Sequence, residues 1–235
     1  MAKRSQLPRS EVAKTHKAGP KAAVNTRVFL AVIVVAVVLV LAGVLLLQAR
    51  AVRPPAETTT RTGDGTAWGP KDANVVIVDY SDFGCGHCRT FALNQGHQLR
   101  SEYEPTSKVR FEYKHFIIGG PDTANAANAA ECAADQGRFW DYHDLLFSRQ
   151  GSGQGVFAKK ALQAYGAELG LGSAVFNACV DGDKHLEKVY RDASEGQGKG
   201  VTGTPTFFIN GQALEGAVPY EQMKAAVDAA LASSQ

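Results

Sequence analysis

The sequence predicts an α/β domain in which a block of helices interrupts the strands, preceded by one transmembrane helix. Three observations carry this. Short runs at Val75–Tyr80, Lys108–Ile118 and Thr206–Ile209 are β-branched or alternate polar with apolar residues, as strands do. Between the second and third of them, residues 122–198 read as helices throughout. Ahead of all three, Val28 to Leu47 is apolar without a single charge.

At the amino end, residues 1–27 form a basic tail carrying Lys3, Arg4, Arg9, Lys14, Lys17, Lys21 and Arg27 against Glu11 alone. The apolar run 28–47 follows; about 20 residues at ~1.5 Å each span ~30 Å, a bilayer core. The tail predicts a cytoplasmic amino terminus, with the rest of the chain across the cell membrane as a single-pass protein. A cleaved signal peptide competes, because Ala49-Arg50-Ala51 has a small-x-small form, but the length of the run and its long basic leader favour an uncleaved anchor. Pro, Thr and Gly over residues 48–73 predict a flexible linker. Outside the tail no basic stripe with interleaved aromatics appears, so no nucleic-acid partner is expected.

Val75–Tyr80 is too short for a helix and reads as a buried strand ending near Phe83. Phe91, Gln95, Leu99 and Tyr103 then recur at helical spacing until Pro105, which places Cys85-Gly86-His87-Cys88 at a helix start. There the free N–H groups and the helix dipole favour a thiolate at Cys85. Lys108–Ile118 alternates as a second strand and Gly119-Gly120-Pro121 breaks it. The helices expected next are Asp122–Gln136, Phe139–Ser148, Val156–Leu169, Val175–Val180 and Lys184–Glu195. Thr206–Ile209 and Ala213–Leu214 flank Asn210-Gly211, a strong hairpin signal. Pro219 opens a last helix to about Leu231, with Met223, Ala226, Val227 and Ala230 on one face.

Three separated segments then carry a resemblance. Val78-Asp79-Tyr80-Ser81-Asp82-Phe83-Gly84-Cys85-Gly86-His87-Cys88, Glu131-Cys132-Ala133-Ala134-Asp135-Gln136-Gly137-Arg138-Phe139-Trp140 and Gly200-Val201-Thr202-Gly203-Thr204-Pro205-Thr206-Phe207-Phe208-Ile209-Asn210-Gly211 occur in the order found in DsbA-like thiol oxidoreductases. The chain resembles that family from about Asn74 to its end. The resemblance implies a thioredoxin-like fold in two pieces, 74–121 and 199–235, with an inserted helical domain at 122–198. It also implies a membrane-tethered enzyme that introduces disulfides into unfolded exported proteins with cysteine pairs. A quinone-linked membrane protein of the DsbB or vitamin K epoxide reductase type would recharge it. A reductase or isomerase with the same chemistry, or a noncatalytic binding module, are the alternatives, the lack of a dimerisation domain before the thioredoxin fold counting against an isomerase; a monomer is expected.

Cys85 is expected to attack and Cys88 to resolve the mixed disulfide, so the redox-active pair serves in place of an organic or metal cofactor. Half a zinc site has the same spacing. His87 can donate towards Cys85 or be only an exposed turn residue. Asp79, six residues before Cys85, is either a satisfied polar residue at a strand end or, as the resemblance implies, an acid beneath Cys88 that shuttles its proton. For Pro205 the resemblance implies a cis Thr204-Pro205 bond facing the cysteines, where Thr204 pairs with an extended substrate; a strand-edge proline is the plainer reading. Cys132 and Cys179 are either free buried thiols or a bridge stapling the inserted helices. His16, His97, His115, His143 and His185 show no ligand spacing and are read as packing or surface residues, and no metal is expected.

Overall fold

The computed structural model describes residue 30, residues 34–41 and residues 63–234. The basic tail, most of the expected membrane span, the Ala49-Arg50-Ala51 segment and the first part of the expected linker lie outside them. Two compact units divide the chain, Met1–Glu57 and Thr58–Gln235. In the first, residues 34–41 are helical with exposed Val and Leu side chains. Among the described residues no helix is long and apolar enough to cross a membrane.

The second unit begins earlier than expected. Gly63–Asp64 (β1) and Ala67–Trp68 (β2) form a tight antiparallel pair, and β2 adds to Val109–His115 (β4), so the expected linker 48–73 is corrected: its last part is sheet. Trp68 supplies the reason. It is 2% exposed and stacks on Phe111 with ring centroids 5.4 Å apart, burying enough apolar area to fix a stretch that is otherwise polar.

Val75–Ser81 (β3) is the central strand, parallel to β4 and antiparallel to Thr206–Ile209 (β5), which pairs in turn with Gln212–Glu215 (β6). The sheet order is β1-β2-β4-β3-β5-β6. Asn210 and Gly211 both have positive φ (46° and 85°), as the two-residue hairpin turn requires.

The helix expected over Cys88–Tyr103 forms in three pieces: Gly86–Thr90 (α1), a π turn at Phe91–Gln95, and Gly96–Tyr103 (α2). The π turn answers the sequence spacing. Phe91, Gln95, Leu99 and Tyr103 repeat every four residues, so a regular helix would rotate the last about 120° away from the first; one extra residue takes back about 100°. Phe91, Leu99 and Tyr103 thereby all stay buried.

The remaining helices are Pro121–Ala134 (α3), Phe139–Arg149 (α4), Lys159–Glu168 (α5), Ser173–Asp181 (α6), Leu186–Gly198 (α7) and Tyr220–Ser233 (α8). They fall close to the expected segments. Helix α3 buries Ala124, Ala126, Ala127, Ala129, Ala130 and Ala133, whose short side chains let neighbours approach closely. At two helical positions even a methyl is too large: a Cβ on Gly166 would lie 2.4 Å from the Phe176 ring, and one on Gly196 2.8 Å from Phe116 and 2.9 Å from Tyr80. The first brings α5 onto α6 and the second presses α7 onto the sheet.

The inserted helices share one apolar core with the strands. Phe139 packs on Tyr113 at 5.4 Å, Phe147 on Phe83 at 4.9 Å and Trp140 on Phe111 at 5.9 Å, joining α4 directly to the sheet. A buried ionic cluster ties α3 and α7 together with β4. His115 Nε2 lies 2.8 Å from Glu131, while Lys188 donates to Glu131 and Asp192 at 2.8 Å each. Cys132 on α3 and Cys179 on α6 form a disulfide across 47 residues.

Two predictions follow from this arrangement. Replacing both Cys132 and Cys179 by Ser removes a loop closure that contributes at most about 4 kcal/mol by chain-entropy arguments; denaturant melts should show a clear loss while dithiol oxidation by the folded fraction persists. Although burial opposes it, His115 and Lys188 hold the Glu131 carboxyl down at about 2. Its folded value is depressed, so its stabilisation is complete above the ordinary glutamate range and disappears as pH falls from about 4.5 towards 2. The stability gap between wild type and Glu131→Gln should narrow over that interval.

Candidate active site

β3 ends at Ser81, and the chain passes through Asp82, Phe83 and Gly84 into α1 with Cys85 as its N-cap at φ −79° and ψ 120°. The Cys88 N–H donates to Cys85 Sγ at 3.4 Å, so sulfur takes the place a serine oxygen usually has at a helix start. Cys85 is 9% exposed and Cys88 1%, which leaves Cys85 as the sulfur a partner can reach. Neither is in a disulfide. The Thr204-Pro205 peptide is cis, and Cys85 Sγ lies 3.3 Å from the Thr204 carbonyl oxygen.

The two sulfurs are electrostatically unequal. The Cys88 thiol donates to Cys85; with the contact to Thr204 and the N–H groups of Cys88 and His87 it outweighs burial and lowers Cys85 to about 5. Burial first, then the bond to Cys85 and the nearness of Asp79, push Cys88 far up. At neutral pH the pair is therefore one thiolate and one thiol. His87 contributes through its backbone; its side chain is exposed on the first turn.

Asp79 lies on β3 opposite Tyr113 and Phe207. It is 3% exposed and its Oδ1 has no hydrogen-bond partner. Burial, and secondarily the negative charge on Cys85, hold its carboxyl well above the usual range. A buried neutral carboxyl close to both sulfurs can give or take one proton.

Three braces that the sequence reading did not single out fix this geometry. Asp82 accepts from Gly84 N at 2.6 Å, Ile118 N at 2.5 Å, Gly119 N at 2.8 Å and Thr123 Oγ1 at 3.2 Å, tying the turn before Cys85 to the start of α3. Gln150, just past α4, donates to the carbonyls of Phe83 at 2.6 Å and Cys85 at 3.0 Å. Arg89 donates to Phe147 O at 2.9 Å. Asp82 has a local signal, since an aspartate two residues before a glycine N–H makes an Asx turn. Gln150 and Arg89 act on groups distant in sequence and have none.

Among the described residues two groups bring metal-ligand atoms within 4.8 Å of one another. In one, Cys132 and Cys179 are joined to each other beside His185. In the other, His115, Glu131 and Asp192, the Lys188 ammonium already supplies the positive charge. His16 lies outside the described residues; the other four histidines expected as packing or surface residues pair with carboxylates: His115 with Glu131, His143 and His97 with Asp144, His185 with Asp135.

A family profile described as Thioredoxin matches residues 61–229. The Na(+)/H(+) antiporter NhaA of Herminiimonas arsenicoxydans is 34% identical over 68% of this chain, which covers 25% of that protein; the chain thus spans about a quarter of the length of such curated relatives. Disulfide bond formation protein D of Bacillus subtilis is 22% identical over 68% of this chain and 74% of its own. Among solved structures, oxidised BdbD of Bacillus subtilis superposes with a TM-score of 0.66 at 21% identity, over 72% of this chain and 94% of that one. Alpha-DsbA1 of Wolbachia pipientis gives 0.63 at 22% identity, over 72% and 92%. These likenesses establish the fold.

The inequality of the sulfurs is directly measurable. Alkylation of the reduced protein by iodoacetamide at pH 6 should modify Cys85 almost alone. Its rate should follow a titration with a midpoint near 5, falling below it as the thiolate takes up a proton. Equal labelling of both cysteines, or a midpoint in the ordinary thiol range near 8.5, would contradict the arrangement.

Proposed function

The chain belongs to the thioredoxin family, and on that premise we propose that it is a thiol:disulfide oxidoreductase acting as an oxidase, which donates a Cys85–Cys88 disulfide to exported proteins with cysteine pairs. The observation that carries this reading is the pair of unequal sulfurs at the α1 N-terminus beside the cis Thr204-Pro205 bond.

In the proposed reaction a substrate thiolate attacks Cys85 Sγ of the disulfide. The Cys85–Cys88 bond breaks, its electron pair leaves on Cys88 Sγ, and the Asp79 carboxyl supplies the proton that makes Cys88 a thiol. A second substrate thiolate attacks the substrate sulfur of the mixed disulfide, and Cys85 departs as a thiolate. The substrate gains a disulfide and loses two electrons; the enzyme gains them as a dithiol. Thr204 offers its backbone to an extended substrate strand, as edge pairing requires.

The direction follows from the charge on Cys85. A depressed thiol pKa stabilises the reduced enzyme at every pH above that value, so the disulfide is readily given up and acts as an oxidant. Reduction or isomerisation would use the same atoms, and the potential separates them.

The proposed setting is the outer face of a cell membrane, with Val28–Leu47 as the anchor and residues 1–27 in the cytoplasm. Its support is the uncharged apolar run behind a basic tail and a second disulfide, Cys132–Cys179, of the kind an oxidising compartment preserves. A quinone-linked membrane protein of the DsbB or vitamin K epoxide reductase type is the proposed electron acceptor. Ion exchange, named for the antiporter relatives, is not carried over.

Expressed in an oxidising compartment, Cys88→Ala should accumulate reducible adducts between Cys85 and exported proteins, while Cys85→Ala should accumulate none. Against glutathione the Cys85–Cys88 couple should equilibrate above about −200 mV; a value near about −270 mV would assign a reductase instead.

A further inference from the structure

The proposed cycle makes a demand that the two cysteines do not meet. Each time Cys88 leaves as a thiolate it takes a proton from Asp79, and each time the enzyme is recharged that proton must be given up again. One proton therefore enters and one leaves Asp79 per turnover. Yet Asp79 is 3% exposed and sits behind Cys88, which is 1% exposed. With a substrate seated on Cys85 and Thr204, the active-site face is covered as well.

The structure holds another way out. A cavity of about 30 Å³, room for one or two ordered waters, is lined by Asp79, Ala92, Trp140, His143, Asp144 and His97. Two of its lining residues carry buried polar atoms without partners, the acceptor Asp79 Oδ1 and the donor Trp140 Nε1. An acceptor and a donor left unsatisfied along one small cavity are the setting in which ordered water is expected. The outer end is built as a relay. Asp144 accepts from His143 Nδ1 at 2.9 Å through one oxygen and pairs with His97 Nε2 at 3.0 Å through the other. The exposure of the three side chains rises outward, 6% for His143, 23% for Asp144 and 49% for His97.

We propose that this cavity is a hydrated proton conduit between Asp79 and solvent, with His143, Asp144 and His97 as the relay residues at its mouth. In the oxidising step the Asp79 O–H bond breaks and its proton forms the S–H bond of Cys88. A proton taken from solvent at the imidazole of His97 and passed through Asp144, His143 and water then restores the carboxyl. Recharging runs the same transfers backwards, and no electron moves along the route. His97 lies 12 residues beyond Cys85 on the same continuous helical run, roughly 18 Å along its axis. A protein substrate held at Cys85 therefore leaves the mouth open, which lets proton return proceed while the mixed disulfide persists.

The inference rests on Asp79 as the proton donor to Cys88, and the test separates the two. Full-length wild type, Asp79→Asn, Ala92→Leu and His97→Gln are cycled between a dithiol peptide and excess oxidised glutathione, and disulfide formation in the peptide is followed over repeated turnovers. Cys85 alkylation of each reduced protein serves as the control. Ala92→Leu plugs the cavity from a buried position, whereas His97→Gln changes an exposed side chain and leaves folding intact. Both should slow recovery over repeated turnovers at least about tenfold, with Cys85 alkylation within about twofold of wild type. Added imidazole should restore the His97→Gln rate and not that of Ala92→Leu, because a small base can replace the relay and cannot cross a filled cavity. Wild-type rates in both conduit variants beside a slow Asp79→Asn would overturn the conduit and leave the proton donor standing. A wild-type rate in Asp79→Asn would remove the donor and the conduit together. Slowing of His97→Gln that imidazole does not relieve would also overturn the proposal.

Discussion

A negative sulfur at Cys85 is stable only while donors stay pointed at it, and much of the surrounding fold serves to keep them there. The N–H groups of His87 and Cys88, the Cys88 thiol and Thr204 come from two segments more than a hundred residues apart in sequence. Each segment has to be held in register with the other. Asp82 fixes the turn before the sulfur to the head of α3, Gln150 holds the carbonyls of Phe83 and Cys85, and antiparallel pairing of β5 against β3 delivers Thr204. Loss of any one would leave the helix in place and move the sulfur relative to its donors, which is why so many buried polar groups gather around one short turn.

The same anion governs its acidic neighbour. While Cys85 carries charge, a second negative group a short way behind it is costly, and Asp79 stays neutral. When Cys85 is tied up in a disulfide that repulsion is gone, and Asp79 can part with its proton more easily. The carboxyl is thus readiest to donate at the stage when Cys88 departs and needs a proton. Charge on one side of the strand and a proton on the other are exchanged in step, through coupling that requires no movement of the backbone.

Much of this could be read from residue order. The strands at Val75 and Thr206, the Asn210-Gly211 hairpin, the helical block and the positions of Cys85, Cys88, Asp79 and Pro205 are legible because each depends on local spacing or on a short motif. What escaped depends on partners distant in sequence. Trp68 is a lone aromatic in a Pro-, Thr- and Gly-rich stretch, and only its stacking on the distant Phe111 makes it a core residue. Gln150 is an unremarkable polar residue after a helix, and only the fold places it under the active-site turn. His97, His143 and Asp144 have no ligand spacing along the chain, because their association is made by packing α2 against α4. The inserted helices were expected as a domain of their own, whereas Phe139, Trp140 and Phe147 are common property of insert and sheet.

The π turn at Phe91–Gln95 sets the phase between the two ends of one helical run. Upstream it must aim Cys85 and Cys88 at the Thr204 segment; downstream it must aim Leu99 and Tyr103 into the core. Removing a single residue there would yield a more regular helix and a rotation of about 100° between those ends. Substitutions along the run can be absorbed one side chain at a time. A change in its length cannot, so homologous domains that keep both the sulfurs and the core should hold the residue number between Cys88 and Leu99 more strictly than the residue types.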